Sequence, residues 1–347
     1  MPEESIDHID FNDLNNRAIS QPLVSHIYTA DPSAHVFNGK IYIYPSHDVD
    51  AGEAFDDLGS HFAMEDYHVI SMDSPDSEAV DNGPALHVND VPWADKQMWA
   101  PDAAEKDGTY YLYFPAKAYD GIFRIGVATS KSPVGPFIPQ PEAIKGSFSI
   151  DPAVFKDDDG SYYMYFGGIW GGQLQRWRTG SFNEEQPESP VAFLPEANEP
   201  ALCAKVARLS GDLLEFDELA KDLVITDDDG NELLSGDTDR RFFEASWMHK
   251  YNGKYYFSYS TGDTHFICYA IGDNPYGPFK YAGRILNPVV GWTSHHSICE
   301  FEGKWYLFYH DSSLSQGVTH LRSIKFTEIS YNEKGLIKTI DPYRTNS

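Results

Sequence analysis

Cysteine is nearly absent from this chain. Cys203, Cys268 and Cys299 are the only three in 347 residues, an odd set without metal-ligand spacing. That excludes a disulfide framework and a thiolate metal centre, and the three read as reduced, mostly buried small hydrophobes. Basic residues are scarce too: 26 Lys and Arg stand against 53 Asp and Glu, a formal charge of −27. A chain so acidic has no basic surface with which to hold nucleic acid or an anionic membrane. No apolar run is long enough to span a bilayer as a helix. The first residues, Met1-Pro-Glu-Glu-Ser-Ile-Asp7, lack the basic and apolar regions of a secretion signal, which predicts a cytoplasmic protein. Helical periodicity is missing as well, which leaves an all-β reading.

What the chain has instead is a repeat. A polar head, a short apolar strand, a Gly turn and an aromatic strand recur five times, beginning at Asp31, Ala100, Asp151, Glu244 and His295. The turns Asn38-Gly39, Asp107-Gly108, Asp159-Gly160, Asn252-Gly253 and Glu302-Gly303 each predict a hairpin. Repetition at this scale means an array of supersecondary units, and sheets repeated about an axis make a propeller. Five copies predict a five-bladed β-propeller, one domain over residues 1–347 with its core from about 22 to 339 and no appended β-sandwich. A second echo, Ser-Pro-Val-Gly-Pro-Phe137 against Asn-Pro-Tyr-Gly-Pro-Phe279, is expected to lie between consecutive units. Long spacings at 49–99 and 180–241 predict a decorated first blade and either an elaborated outer part of the third or a rim insertion. Asp157-Asp-Asp-Gly160 and Asp227-Asp-Asp-Gly230 lack the spacing and terminal Glu of a calcium loop and read as turns.

In a propeller the innermost strand of every blade starts at one mouth of the central funnel. The heads Asp31, Asp151, Glu244 and His295 therefore converge on one cavity, joined by Trp99 and Asp102 of the second blade. Carboxylates facing one cavity raise each other's pKa, an arrangement suited to chemistry that needs one charged and one protonated carboxyl. Asp102, offset by Pro101, reads as a supporting residue. Trp99 suits sugar stacking and blade packing equally.

The motifs Tyr28-Thr-Ala-Asp31-Pro-Ser, Trp99-Ala-Pro-Asp102, Ser149-Ile-Asp151-Pro-Ala-Val-Phe155, Arg241-Phe-Phe-Glu244-Ala and His295-His296-Ser resemble those of glycoside hydrolase family 43, five-bladed propellers that act mainly on xylans and arabinans with inversion. The resemblance implies Asp31 as general base, Asp151 as the carboxylate that tunes the acid and orients the sugar, and Glu244 as general acid. It implies Arg322 as a ligand of sugar hydroxyls, and His295, or alternatively His296, as the anchor of a hydrated calcium ion near the axis. Adjacent histidines on a strand face opposite ways, and the register favours His295. Inversion independently requires an acid and a base on opposite sides of the scissile bond, which separate blades can supply.

The segments Tyr44-Pro-Ser-His47-Asp48, Phe166 to Trp177 and Thr261-Gly-Asp-Thr-His265 resemble the compact single-domain, metal-dependent β-xylosidases of that family, and imply His47 and Trp170 as further substrate contacts. The expected partner is a small oligosaccharide, and the expected reaction is exo release of xylose from β-1,4-xylo-oligosaccharides, with α-L-arabinofuranosidase activity as the alternative. The Asn-Asp-Pro-Asn-Gly and Arg-Asp-Pro motifs of retaining fructosidase-like propellers do not occur, and a lectin or protein-interaction propeller has no need of three carboxylates and an arginine at funnel positions.

Overall fold

The structure, a computed structural model, describes residues 8–345 apart from Phe55 and Asp57. Five antiparallel sheets follow one another along the chain. The first comprises Tyr28–Phe37, Lys40–Asp48, Asp66–Met72 and Val80–His87. The second comprises Asp102–Lys106, Thr109–Ala118, Phe123–Ser130 and Ile138–Pro139, with Ala94–Lys96 pairing the far end of its second strand. The third is built from Ala153–Lys156, Tyr162–Phe166, Ala204–Arg208 and Lys221–Leu223. The fourth runs through Glu244–Tyr251, Lys254–Ser260, Ile267–Gly272 and Phe279–Leu286, and takes Ile225–Thr226 as a parallel outer strand. The fifth has His296–Phe301, Lys304–Asp311 and Ser323–Ile329. The first strand of every sheet touches the first strand of the next, and the first strand of the fifth returns to that of the first. That closed ring is a five-bladed propeller.

Local chemistry accounts for the strands. Four of the five hairpins turn on two left-handed residues, as at Asn38 (φ 52°) and Gly39 (φ 76°) or Asn252 (φ 49°) and Gly253 (φ 75°), the twist that adjacent strands need. The third copy carries one more residue, so Lys156 pairs with Tyr162 across a five-residue loop closed by Asp157 N–H to Ser161 O at 2.9 Å. Asp227 to Asn231 makes a similar turn. The recurrent aromatics of the second strands hold blade to blade. Tyr44, Tyr113 and Tyr165 are fully buried, and their hydroxyls donate to Pro133 O, Leu213 O and Pro275 O of the following blade at 2.7, 2.9 and 2.8 Å. Each ring fills the seam between sheets while its polar end is satisfied.

Those carbonyls explain the Gly-Pro-Phe echo and correct its expected place. The turns at 132–137 and 274–279 connect the third and outermost strands within the second and fourth blades, not consecutive blades. Their Pro133 and Pro275 carbonyls serve as the anchors for the preceding blade's tyrosine. The decorated stretch 49–99 supplies the third and fourth strands of the first blade, and 180–241 supplies those of the third.

The N-terminal segment completes the ring. Leu23 N–H donates to Ile324 O and Thr29 N–H to Arg322 O, beside the third strand of the fifth blade. The C-terminus lies across the same seam: Tyr343 bridges Ala18 and donates to Asp311 Oδ2 at 2.7 Å. Asp311 also binds Lys325 Nζ at 2.8 Å, and both side chains are buried.

Candidate active site

Three of the repeat heads are aimed by irregular backbone. Asp31 (φ 51°) and Asp151 (φ 57°) take the left-handed conformation, as does Ala245 (φ 63°) next to Glu244. The pairing of the first two strands slips between Ala30 and Ser33, and that of the fourth blade slips between Glu244 and Trp247. A bulge at a strand's start turns its side chain out of the regular alternation, and Asp tolerates positive φ better than most residues. The strain sits where the side chains must point into the funnel.

Asp31 is buried and densely bound. Ser46 Oγ donates to its Oδ2 at 2.7 Å, Arg322 Nη1 to its Oδ1 at 3.0 Å, and its own N–H donates to His310 Nδ1 at 3.0 Å. Burial pushes the Asp31 carboxyl up, but the Arg322 charge, the two neighbouring histidines and Ser46 outweigh it and bring it to about 2. Near neutral pH the histidines are themselves uncharged: burial pulls His295 down to about 4 and His310 to about 3. Arg322 and Ser46 then hold Asp31 ionised.

Arg322 is in turn held by Asp48, through Nη2 to Oδ1 at 2.8 Å and Nε to Oδ2 at 2.9 Å, with its backbone N–H on Oδ2 at 2.9 Å. Burial pushes Asp48 upward, yet a bidentate guanidinium and a backbone donor keep it a carboxylate. Thr293 Oγ1 accepts a further Nη1 proton at 3.2 Å. Of the five guanidinium protons, one on Nη2 is left for a sugar hydroxyl, so the main work of Arg322 is to charge and orient Asp31. Phe62 lies over the guanidinium, with its ring centroid 4.9 Å from Cζ.

Asp151 accepts the Ala245 N–H at 2.8 Å. Glu244 accepts no hydrogen bond from the described residues. Burial and the charge of Asp31 push the Glu244 carboxyl up to about 8; burial, Glu244 and Asp31 raise Asp151 as well. Between these two neighbours the backbone N–H favours charge on Asp151, which leaves the proton on Glu244. The site thus pairs an ionised carboxylate in the first blade with a protonated one in the fourth.

The remaining sequence candidates fall into place around this set. His295 Nδ1 lies 3.5 Å from Asp31 and 4.0 Å from Asp151, whereas His296 turns away, fully buried, with Nε2 2.6 Å from Ser258 Oγ. Asp102 is a support: it accepts the Val154 N–H at 2.5 Å and meets His35 Nε2 at 2.6 Å. Trp99 is 9% exposed, with its indole N–H on Phe62 O at 2.8 Å and its ring 4.6 Å from Phe123, so packing dominates. Trp170 (φ 56°) clusters with Phe243 and Trp292, on a loop whose Gly168 comes close to Glu244.

His47 is the correction. Its neighbours Ser46 and Asp48 face Asp31 and Arg322, so strand alternation sends His47 to the opposite face. There its Nδ1 meets Asp66 at 2.6 Å, on the face opposite the partners of Asp31 and Arg322. Sequence reasoning missed Ser46, Asp48, Phe62, Thr293 and His310. The first two were legible as alternate residues of a strand adjoining Asp31; the others are brought in by the ring's closure.

A chain with this fold and this carboxylate set can be compared with known proteins. The family model of glycosyl hydrolases family 43 matches residues 20–186. A "Xylosidase/arabinosidase" of Bacteroides ovatus is 60% identical over 320 residues, 92% of this chain and 97% of the relative. This chain belongs to family 43. It is a glycosidase. Another family member, a "Beta-xylosidase" of Xylanibacter ruminicola, is 56% identical over 90% of this chain and 97% of its own. Among solved family 43 structures, CoXyl43, a β-xylosidase/α-arabinofuranosidase from a compost microbial metagenome in complex with xylotriose in calcium-free form, superposes with a TM-score of 0.91 at 64% identity, covering 94% of this chain and 98% of that one.

Proposed function

We propose that this chain is an exo-acting β-xylosidase that releases xylose from the non-reducing end of β-1,4-xylo-oligosaccharides with inversion. The observation that carries the reading is the contrast between Asp31, bound by Arg322 and Ser46, and Glu244, buried with no hydrogen bond to its carboxyl from the described residues. Asp31, ionised by Arg322 and Ser46, takes a proton from the attacking water. Glu244 keeps a proton and has no hydrogen-bond partner among the described residues, so it is free to donate to the glycosidic oxygen as the bond breaks. Asp151, charged beside Glu244, opposes the loss of that proton and is placed to accept a sugar hydroxyl. The sugar itself is read from the relatives at 56–60% identity.

The residues also fit a calcium ion. His295 is neutral, its ring makes no hydrogen bond to the described residues, and Asp31 and Asp151 stand within 4.0 Å of it. One imidazole with water and nearby carboxylates would hold such an ion, which would supply a positive charge among the funnel carboxyls.

Because close relatives are named for both activities, α-L-arabinofuranosidase activity is the second reading. Nitrophenyl β-xyloside and α-arabinofuranoside, compared on the same preparation, decide between them. A higher kcat/KM on the β-xyloside is expected; a higher value on the arabinofuranoside would reverse the assignment.

A further inference from the structure

The first blade carries a second cluster of chemistry-bearing side chains, on the face of its sheet opposite Ser46 and Asp48. His47 Nδ1 lies 2.6 Å from Asp66 Oδ1, and His68 Nε2 lies 3.6 Å from Asp66 Oδ2. The imidazole centroids are 4.5 Å apart, and one donor atom from each of the three residues falls within 4.8 Å of the others. Their side chains are 18%, 15% and 11% exposed, walled in but within reach of solvent.

The tautomer of His68 is fixed from behind. Asp81 Oδ1 lies 2.8 Å from His68 Nδ1, and Asp81 is itself held by the Gly83 N–H at 2.9 Å and His26 Nε2 at 2.8 Å. A carboxylate only accepts, so the neutral ring carries its proton on Nδ1 and presents a lone pair on Nε2 toward Asp66. Two acceptors facing at 3.6 Å make no hydrogen bond; a proton or a metal ion on Nε2 relieves that contact. A carboxylate behind one ring nitrogen is also the usual support of a metal-binding histidine.

We propose that His47, Asp66 and His68 bind a divalent transition-metal ion of the zinc class, with His47 Nδ1, one Asp66 oxygen and His68 Nε2 as ligands and water as the fourth. Two imidazoles and one carboxylate suit zinc and disfavour calcium or magnesium, which take oxygen ligands. Ligands about 2.1 Å from a tetrahedral ion stand about 3.4 Å apart; His47 Nδ1 lies 2.6 Å from Asp66 Oδ1 and His68 Nε2 3.6 Å from Asp66 Oδ2, with all three donors within 4.8 Å of one another, so an ion would draw the three side chains into that spacing. His47 Nδ1 now donates to Asp66; on binding it passes that proton to solvent and gives its lone pair to the ion. The ion would brace the second and third strands behind Ser46 and Asp48, the partners of Asp31 and Arg322. It is a site on another face of the blade from His295.

Crystals of the metal-stripped protein soaked in zinc, with diffraction recorded on both sides of the zinc absorption edge, test this without any substitution. An anomalous peak bounded by His47, Asp66 and His68 is expected, and a map without density there, whether empty or peaked only at His295, overturns the proposal. In solution, Co2+ should give a visible absorption band and raise Tm in the wild type, and His68→Gln should lose both. A His68→Gln variant with native circular dichroism and an unchanged cobalt spectrum would equally overturn it.

Discussion

Asp31 and Glu244 are both carboxylic acids deep in one funnel, yet their surroundings drive them in opposite directions. Desolvation acts on both; what separates them is that Asp31 is bound directly by a guanidinium and a hydroxyl, while on Glu244 the charge of Asp31 adds to burial and outweighs the pull of Arg322. The sign fixes the pH profile. Glu244 is raised above its ordinary value, so its acid function is intact at low pH and is lost as pH rises through about 8. Asp31 is lowered, so its base function holds above its ordinary range and is lost only as pH falls toward about 2. A profile of kcat/KM should therefore show an alkaline limb near 8. Ser46→Ala, which removes one donor from Asp31, should move the acid limb upward and leave the alkaline limb in place. If the acid limb does not move, Ser46 does not tune the base. These roles were partly legible beforehand: the heads stand out because they differ among otherwise matching repeats. The rest of the charge network was hidden, since Arg322 reaches Asp31 across 291 positions.

At the scale of elements, the repeat predicts hairpins and blades but not the bulges. Nothing in Asp-Pro or Glu-Ala announces a left-handed residue, because the strain is imposed by packing of the finished sheet. The same holds for Pro133 and Pro275, whose turns look like linkers in sequence and serve as tyrosine anchors in the fold. The loop Gly167 to Gly172 gives a sharper case. A Cβ on Gly168 would lie 2.6 Å from Ile150 Cδ1 and 3.2 Å from Glu244 Cβ. Gly168→Ala must then displace the Ile150 side chain, next to Asp151, and press on the strand start that carries the acid. We expect a stability loss of about 1–3 kcal/mol from overpacking, with kcat falling and KM for xylobiose little changed. Steady-state kinetics with a thermal melt checks this, and wild-type kcat would show that Glu244 tolerates the shift.

For the whole molecule, function depends on the ring staying shut, because Asp31 stands in the first blade while Arg322, which charges it, stands in the fifth. Leu23, Thr29 and Tyr343 stitch the termini to the last blade, and Lys325 neutralises Asp311 within that seam. Lys325→Met leaves a buried carboxylate without its cationic partner, at a cost of about 3–5 kcal/mol. A chemical denaturation curve should show that loss, and a midpoint like the wild type's would mean the seam does not hold the ring. The number of blades was legible in the sequence because each repeat brings its own hairpin. The closure was not, because it joins segments with no shared pattern.

The claim that Glu244 gives the proton and Asp31 activates the water is tested most directly by leaving-group dependence. With xylobiose, whose leaving group needs protonation, Glu244→Ala should lose about 10²–10⁴-fold in kcat, whereas with dinitrophenyl β-xyloside it should stay near the wild-type rate. Asp31→Ala should lose activity on both. A Glu244→Ala enzyme that hydrolyses xylobiose at the wild-type rate, or loses both substrates alike, would contradict the assignment.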